Sequence, residues 1–269
     1  MGKLSSIEWT DHTFNPWWGC TKVSPGCIHC YAETWSSRYG HDIWGPKKER
    51  RVFGEKHWQE PLKWNREAFQ NQQRMRVFCA SMADVFEDNK GIETERQRLW
   101  RLIEETPMLD WLLLTKRPEN IARFFPWKED YPKNVWMMTS VENQEQAQKR
   151  VPVLASAPAL IRGLSVEPLL DAVDLTPWLH QIQWVIVGGE SGRDARPMRI
   201  EWVRRLRDQC HKAGVPFFFK QWGEWHPEIN DAIPEINKIS MKRIGKRVSG
   251  RVLDGREWNE LPLVNNNTQ

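Results

Sequence analysis

Short apolar runs ending in polar residues recur along this chain at nearly constant spacing, and that spacing constrains the fold more than any other feature. The runs are Arg76–Ser81, Trp111–Thr115, Val135–Ser140, Leu160–Ser165, Trp184–Gly188 and Val215–Lys220. Near-continuous apolar strands imply burial on both faces, as in a parallel sheet covered by helices. Their polar ends fall at positions 81, 115, 140, 165, 190 and 220, at intervals of 34, 25, 25, 25 and 30 residues. Each interval holds one strand, one helix and two short loops, which is a βα repeat. The clearest helical patterns lie at Glu93–Glu105 and Ile200–Ala213. The second carries Ile200, Val203, Leu206 and Cys210 on one stripe, with Gly214 as its stop.

A further strand leading into Cys20 brings the count to about seven units. No Gly-rich dinucleotide fingerprint opens any of them, so the expected architecture is α/β, a partial or complete (β/α) barrel of six to seven parallel strands rather than a flat doubly wound sheet. The barrel is expected over residues 1–226, with a Trp-, Lys- and Pro-rich insertion near 41–70. Gly245, Gly250 and Asp254-Gly255 are turn signals, and residues 227–269 read as a small β-rich appendage. In a barrel the reactive groups stand at the C-terminal strand ends. Here these are Ser81 and Asp84, then Thr115, Lys116 and Arg117, then Ser140, Glu142 and Asn143, then Ser165 and Glu167, then Gly188, Gly189, Glu190 and Ser191, then Lys220, Gln221 and Trp222.

Three of the 5 cysteines cluster as Cys20-x6-Cys27-x2-Cys30, behind Phe14, Trp17 and Trp18 and ahead of a helical stretch from Tyr31 to Tyr39. Three thiolates suit a zinc site completed by a fourth ligand, or an iron–sulfur cluster with one iron left unprotected by protein. His12 or His29 would complete zinc. No second ligand pair follows, however, and His29 is wedged between two ligands, which places the open-iron cluster ahead. Cys79 and Cys210 read as core. The odd count and the polar stretch Met1 to Thr10 argue against a secreted disulfide scaffold and for a reducing cytoplasm.

At 269 residues and 40% hydrophobic content the chain can bury a large core, and no apolar run approaches the roughly 20 residues a membrane span requires. The net charge, +4, is too small to indicate nucleic acid by itself. Its distribution says more. Lys238, Lys242, Arg243, Lys246, Arg247, Arg251 and Arg256 stand against the single acid Asp254, and Lys47, Lys48, Arg50 and Arg51 form a second cluster. Most of the 17 tryptophans are expected in the core, with Trp17, Trp18, Trp44, Trp222 and Trp225 placed to stack on a planar ligand.

The chain resembles the radical S-adenosylmethionine superfamily. It is most similar to a phage-associated three-cysteine family of such proteins, known as a domain of unknown function. The segments that carry the likeness include Ile7-Glu-Trp-Thr-Asp11, Gly19-Cys20-Thr-Lys-Val-Ser-Pro-Gly-Cys27, Cys30-Tyr-Ala-Glu33, Ser81-Met-Ala-Asp84, Leu114-Thr-Lys-Arg-Pro118, Ser140-Val-Glu-Asn143, Ser165-Val-Glu-Pro168, Val187-Gly-Gly-Glu-Ser-Gly192 and Phe218-Phe-Lys-Gln-Trp-Gly223. The resemblance implies that Cys20, Cys27 and Cys30 hold three irons of a 4Fe–4S cluster while S-adenosylmethionine chelates the fourth. An electron donor then triggers its cleavage to methionine and a 5′-deoxyadenosyl radical. It further implies His29 beside the adenine, Asp84 on the methionine amino group, and Ser140 and Glu142 on the ribose or methionyl moiety. Gly188, Gly189 and Glu190 would lie near the adenosyl end, and Lys116, Arg117 or Lys220 would meet the methionyl carboxylate. Basic clusters interleaved with Trp favour a nucleic-acid or nucleotide substrate bound through the basic C-terminal region. A peptide substrate stays open, and a non-catalytic zinc-binding nucleic-acid module is the rival reading.

Overall fold

The computed structural model describes residues 5, 7–229 and 239–263, and the chain divides into two compact units. The first comprises Met1–Thr139 with Ser156–Arg162, the second Ser140–Ala155 with Gly163–Gln269.

In chain order the elements of the first unit are β1 (His12–Thr13), β2 (Trp17–Trp18), α1 (Tyr31–Arg38), β3 (Arg51–Val52), α2 (Glu55–Gln70), β4 (Met75–Cys79), α3 (Glu93–Glu105), β5 (Leu109–Thr115), the single turn α4 (Ile121–Phe124) and β6 (Val135–Ser140), whose last residue opens the second unit. The second unit continues with α5 (Gln144–Ala155), β7 (Ile161–Val166, entered from the first unit), β8 (Trp184–Gly188), α6 (Ile200–Ala213), β9 (Phe217–Gln221), β10 (Trp225–Ile229), β11 (Ile239–Arg243) and α7 (Lys246–Ser249). Seven parallel strands follow one another in the order β1-β4-β5-β6-β7-β8-β9, the strand succession of a partial (β/α) barrel. The fold is α/β, as the spacing of apolar runs predicts.

The central strands are fully buried because both their faces are apolar. Leu112 and Leu113 on β5, and Val185, Ile186 and Val187 on β8, expose no surface. The stripe on α6 packs inward through Ile200, Val203, Leu206 and Cys210, and Gly214 ends the helix in the left-handed conformation at φ 69°. Cys79 and Cys210 are buried core residues, as their settings predict.

Three expectations are corrected. The strand expected to lead into Cys20 ends earlier, at Thr13, because Pro16 offers no backbone donor to continue the ladder. Trp17 and Trp18 instead pair antiparallel with Val52 and Arg51. The insertion placed near 41–70 extends only as far as Gly54 and carries the short strand β3. Residues 55–70 form α2, the crossover helix between β1 and β4, which buries Trp58, Pro61, Trp64 and Ala68 on one stripe. The β7–β8 connection carries a 3-10 turn at Leu179–Gln181 in place of an α-helix, in a segment interrupted by Pro168 and Pro177.

The tail contains antiparallel strands, with β10 paired to β11 from Trp225↔Arg243 to Ile229↔Ile239. Beyond α7 the chain returns to β9: Asn259 bridges Phe218, and Phe219 N–H donates to the Trp258 carbonyl at 2.9 Å. Leu253 and Trp258 are buried there. Lys238 lies outside the described residues. Among the described residues no helix is long and apolar enough to cross a membrane.

Candidate functional site

In the first unit, a loop of closely fitted backbone carries the three cysteines. Gly19 has φ +109°, and a Cβ there would stand 2.4 Å from the Ile43 carbonyl oxygen, so only glycine fits. Its N–H donates to the Met82 carbonyl at 2.9 Å, which ties the loop entrance to the end of β4. Asn15 fixes the same strand end, accepting from Met82 N–H at 2.7 Å and donating to Ser81 Oγ at 3.1 Å. Arg50 forms the other wall. Its guanidinium pairs with both Glu87 oxygens at 3.0 and 2.7 Å and donates to Thr21 Oγ1 at 3.0 Å and to the Ile43, Lys48 and Gly45 carbonyls. Both charges are buried, so the pair is justified by this full set of bonds. Cys30 occupies the N-cap position of α1 and packs against Trp18, Ala32 and Met82.

Arg117 and Asp84 stand beneath this loop. Asp84 is buried and accepts from Thr115 Oγ1 at 2.7 Å, Phe86 N–H at 3.0 Å, Lys116 N–H at 3.0 Å and Arg117 Nη1 at 2.9 Å. Its oxygens are thereby engaged by the chain itself, and it orients Arg117. From there Arg117 donates to Cys20 Sγ at 3.5 Å and to the Thr21 carbonyl at 2.5 Å, with Glu87 3.8 Å away. Burial pulls the Arg117 guanidinium down, and Asp84, Cys20 and Glu87 overcome it and hold the pKa above the usual value. Burial pushes the Cys20 thiol up to about 12 against the pull of Arg117. Cys30 is likewise raised by burial, with the α1 backbone N–H groups and Lys116 pulling the other way. His29 and Cys27 lie partly buried in the same loop.

The three thiols are free, and as soft donors on one short loop they suit a soft metal centre in chemistry. Their positions are not those of an assembled site: among the described residues no three His, Cys, Asp or Glu side chains are grouped to hold one metal ion.

The remaining predicted residues belong to the second unit, at the ends of its strands. Glu142 has no exposed surface and accepts from Arg150 Nη1 at 2.9 Å, and the same nitrogen donates to the Ser140 carbonyl at 2.9 Å. Glu190 accepts from the Arg196 backbone N–H and Nε, each at 2.8 Å, and from Nη2 at 2.5 Å. Lys220 donates to both oxygens of Glu167, at 2.7 and 2.9 Å, and Gln221 Nε2 reaches the same carboxylate at 3.3 Å. Gly188 faces that carboxylate, a Cβ there standing 3.2 Å from Glu167 Cδ. At Gly189 the approach is closer and comes from the chain itself. A Cβ would stand 1.9 Å from the Trp222 carbonyl oxygen, so packing of β8 against the β9 loop already requires glycine.

Each unit thus groups its own share of the predicted residues. Cys20, Asp84 and Arg117 are in direct contact, with Lys116 and Cys30 close by, and Lys220 and Gly188 meet at Glu167. The partners Glu87 and Arg150 escaped sequence reading, Arg50 was read only as one member of a basic cluster, and Glu167 stood out only as one strand-end residue among many. Two structural corrections bear on ligand contact. Trp17, Trp18 and Trp222 are buried, so their faces are not open for stacking, and Arg50 is consumed by Glu87 rather than exposed in a basic patch.

The chain belongs to the family described as protein of unknown function, DUF5131, whose model matches residues 4–262. No curated protein and no solved structure matches it.

Proposed function

We propose that this chain is a radical S-adenosylmethionine enzyme of the phage-associated kind, acting on a nucleic acid or nucleotide, with Cys20, Cys27 and Cys30 as the ligands of a 4Fe–4S cluster. The observation that carries this reading is the contact of a buried, carboxylate-held arginine, Arg117, with the sulfur of Cys20 in a loop that presents three free thiols. A fixed cation donating to a ligand sulfur is the supporting contact that metal-bound thiolates receive in assembled centres. When bound, the cluster supplies the electron that cleaves the sulfonium of S-adenosylmethionine. The protein's part is placement. Asp84 holds Arg117, Arg50 and Glu87 hold the loop, and Lys116 adds positive charge beside Cys30. Ligand gathering is coupled to metal binding here, as in metallo-sites whose donors are not preassembled.

Protein purified without oxygen should be brown and carry close to four irons with matching sulfide. Alanine at Cys20, Cys27 or Cys30 should abolish the chromophore, and alanine at Cys79 or Cys210 should leave it. With reductant, the loaded protein should release 5′-deoxyadenosine from S-adenosylmethionine. Stoichiometric zinc with no chromophore would replace this reading with the zinc-module one.

A further inference from the structure

The residue immediately following Cys30 begins a stripe of exposed aromatic side chains on α1 and its C-cap residue. Tyr31, Trp35 and Tyr39 are spaced four apart, share one side of the helix and are 57, 40 and 64% exposed, while Ala32 and Ser36 face inward. Large rings left in water on an eight-residue helix oppose the usual drive to bury them, and a contiguous set of them marks a contact surface. These rings are also held in place. The Tyr31 hydroxyl donates to the Ser81 carbonyl at 2.8 Å, Trp35 meets the buried Trp18 edge-on at 5.1 Å between centroids, and Tyr39 rests on Trp35 at 4.5 Å. A pre-positioned ring loses little side-chain freedom when a ligand lands on it.

The charge around the stripe selects the ligand. Lys22 and Lys48 are paired to Glu33 and Asp42, and counting Lys47 against Glu49 still leaves Arg38 and Arg51 in excess. The Arg51 guanidinium lies over Trp18, 4.7 Å from the ring centroid, beside the aromatic row. Ordered, exposed rings flanked by surplus guanidinium groups match a strand with unpaired bases and phosphates.

We propose that the α1 face is a stacking platform for single-stranded nucleic acid, with bases on Tyr31, Trp35 and Tyr39 and phosphates on Arg38 and Arg51. It delivers the strand beside Cys30, the N-cap of the same helix. This rests on the functional reading above for the role of the strand as substrate; the binding itself stands apart from the cluster.

The test uses the full chain and fluorescein-labelled single-stranded and duplex oligonucleotides of mixed sequence, read by anisotropy across a salt series, with circular dichroism verifying the fold of each variant. Trp35→Ala and Tyr39→Ala should each weaken single-strand binding by about 5- to 150-fold without changing the salt slope. Arg51→Ala should flatten the slope by about 0.7. Phe69→Ala, at a 71% exposed ring on α2, should bind like the parent. Folded Trp35→Ala and Tyr39→Ala proteins that bind like the parent, a parent that prefers duplex, or a parent with no single-strand affinity at low salt would each overturn the platform. A concentration-dependent dimer in sedimentation that these two substitutions abolish, with oligonucleotide affinity unchanged, would assign the face to a second copy instead. Iron content and 5′-deoxyadenosine release are measured on the same samples, so loss of the platform and loss of the cluster reading give separate results.

Discussion

At the scale of single residues, two devices, a buried ion pair and a half-buried histidine, hold segments that flank the cysteine loop. Arg50 and Glu87 are each nearly inaccessible and bonded to one another. Removing one partner leaves the other charge buried without its counter-charge at hydrogen-bond distance. Arg50→Met and Glu87→Leu should therefore each cost about 3–5 kcal/mol, while the double variant loses less than the sum. Denaturant unfolding of the four proteins checks this, and additive losses would refute the coupling. His57 is the second device. Its ring stacks on Phe14 at 4.7 Å, and its Nε2–H donates to the Asn15 carbonyl at 2.8 Å. Burial lowers its pKa below 6.5, with the Asn15 bond opposing. The unfolded chain then takes up a proton near pH 6.5 that the folded chain still refuses, so stability is full above that pH and declines as pH falls through it toward the folded pKa. Urea midpoints measured across that window should fall less steeply in His57→Gln, and identical slopes in parent and variant would remove His57 from the account.

Elements are set against one another by close backbone approaches, which mark where substitutions are least tolerated. Gly188 and Gly189 are neighbours in sequence at the end of β8, yet they meet different obstacles. A methyl at Gly188 meets the end of the Glu167 side chain, which can shift, whereas one at Gly189 meets the Trp222 carbonyl at 1.9 Å. Gly189→Ala should therefore destabilise by at least the roughly 1–3 kcal/mol typical of overpacking, and Gly188→Ala by clearly less. Thermal unfolding of the two proteins gives the comparison, and an equal or reversed order would contradict the geometry. The same strand ends show how carboxylates in this unit are managed: Glu142 by Arg150, Glu190 by Arg196, and Glu167 by Lys220. A bound ligand reaching any of these acids would have to share it with its basic partner.

On the scale of the whole molecule the modest charge of +4 hides an uneven surface. In the tail Lys242 is paired with Glu228, and Arg256 lies over the Trp258 ring at 3.4 Å, while Lys246 and Arg247 project from the short helix α7. Reversing Lys246 and Arg247 to Glu carries the formal net charge from +4 to zero. If the tail contributes phosphate contacts, the reversal should weaken oligonucleotide binding and flatten the salt slope by up to about 1.4, at unchanged iron content. A slope equal to that of the parent would exclude the tail from the nucleic-acid surface.

Sequence alone determined the α/β repeat and the bounds of several of its elements. The runs Val135–Ser140 and Trp184–Gly188 and the helices Glu93–Glu105 and Ile200–Ala213 appear in the structure with the bounds read from their patterns. Burial on both faces makes a parallel strand apolar throughout, and a one-sided helix must repeat its apolar residues every three to four positions, so both leave local marks. The three clustered cysteines were legible for the same reason, being close in sequence. Only the tertiary structure decided what surrounds them. Arg50 finds Glu87 across 37 residues and Lys220 finds Glu167 across 53, and Gly189 is required by a carbonyl on the loop after the neighbouring strand. Such pairings follow from which loops and strand ends the fold brings together, including the irregular step that sets Gly188 opposite Gln221, and neither partner carries a local sign of the other.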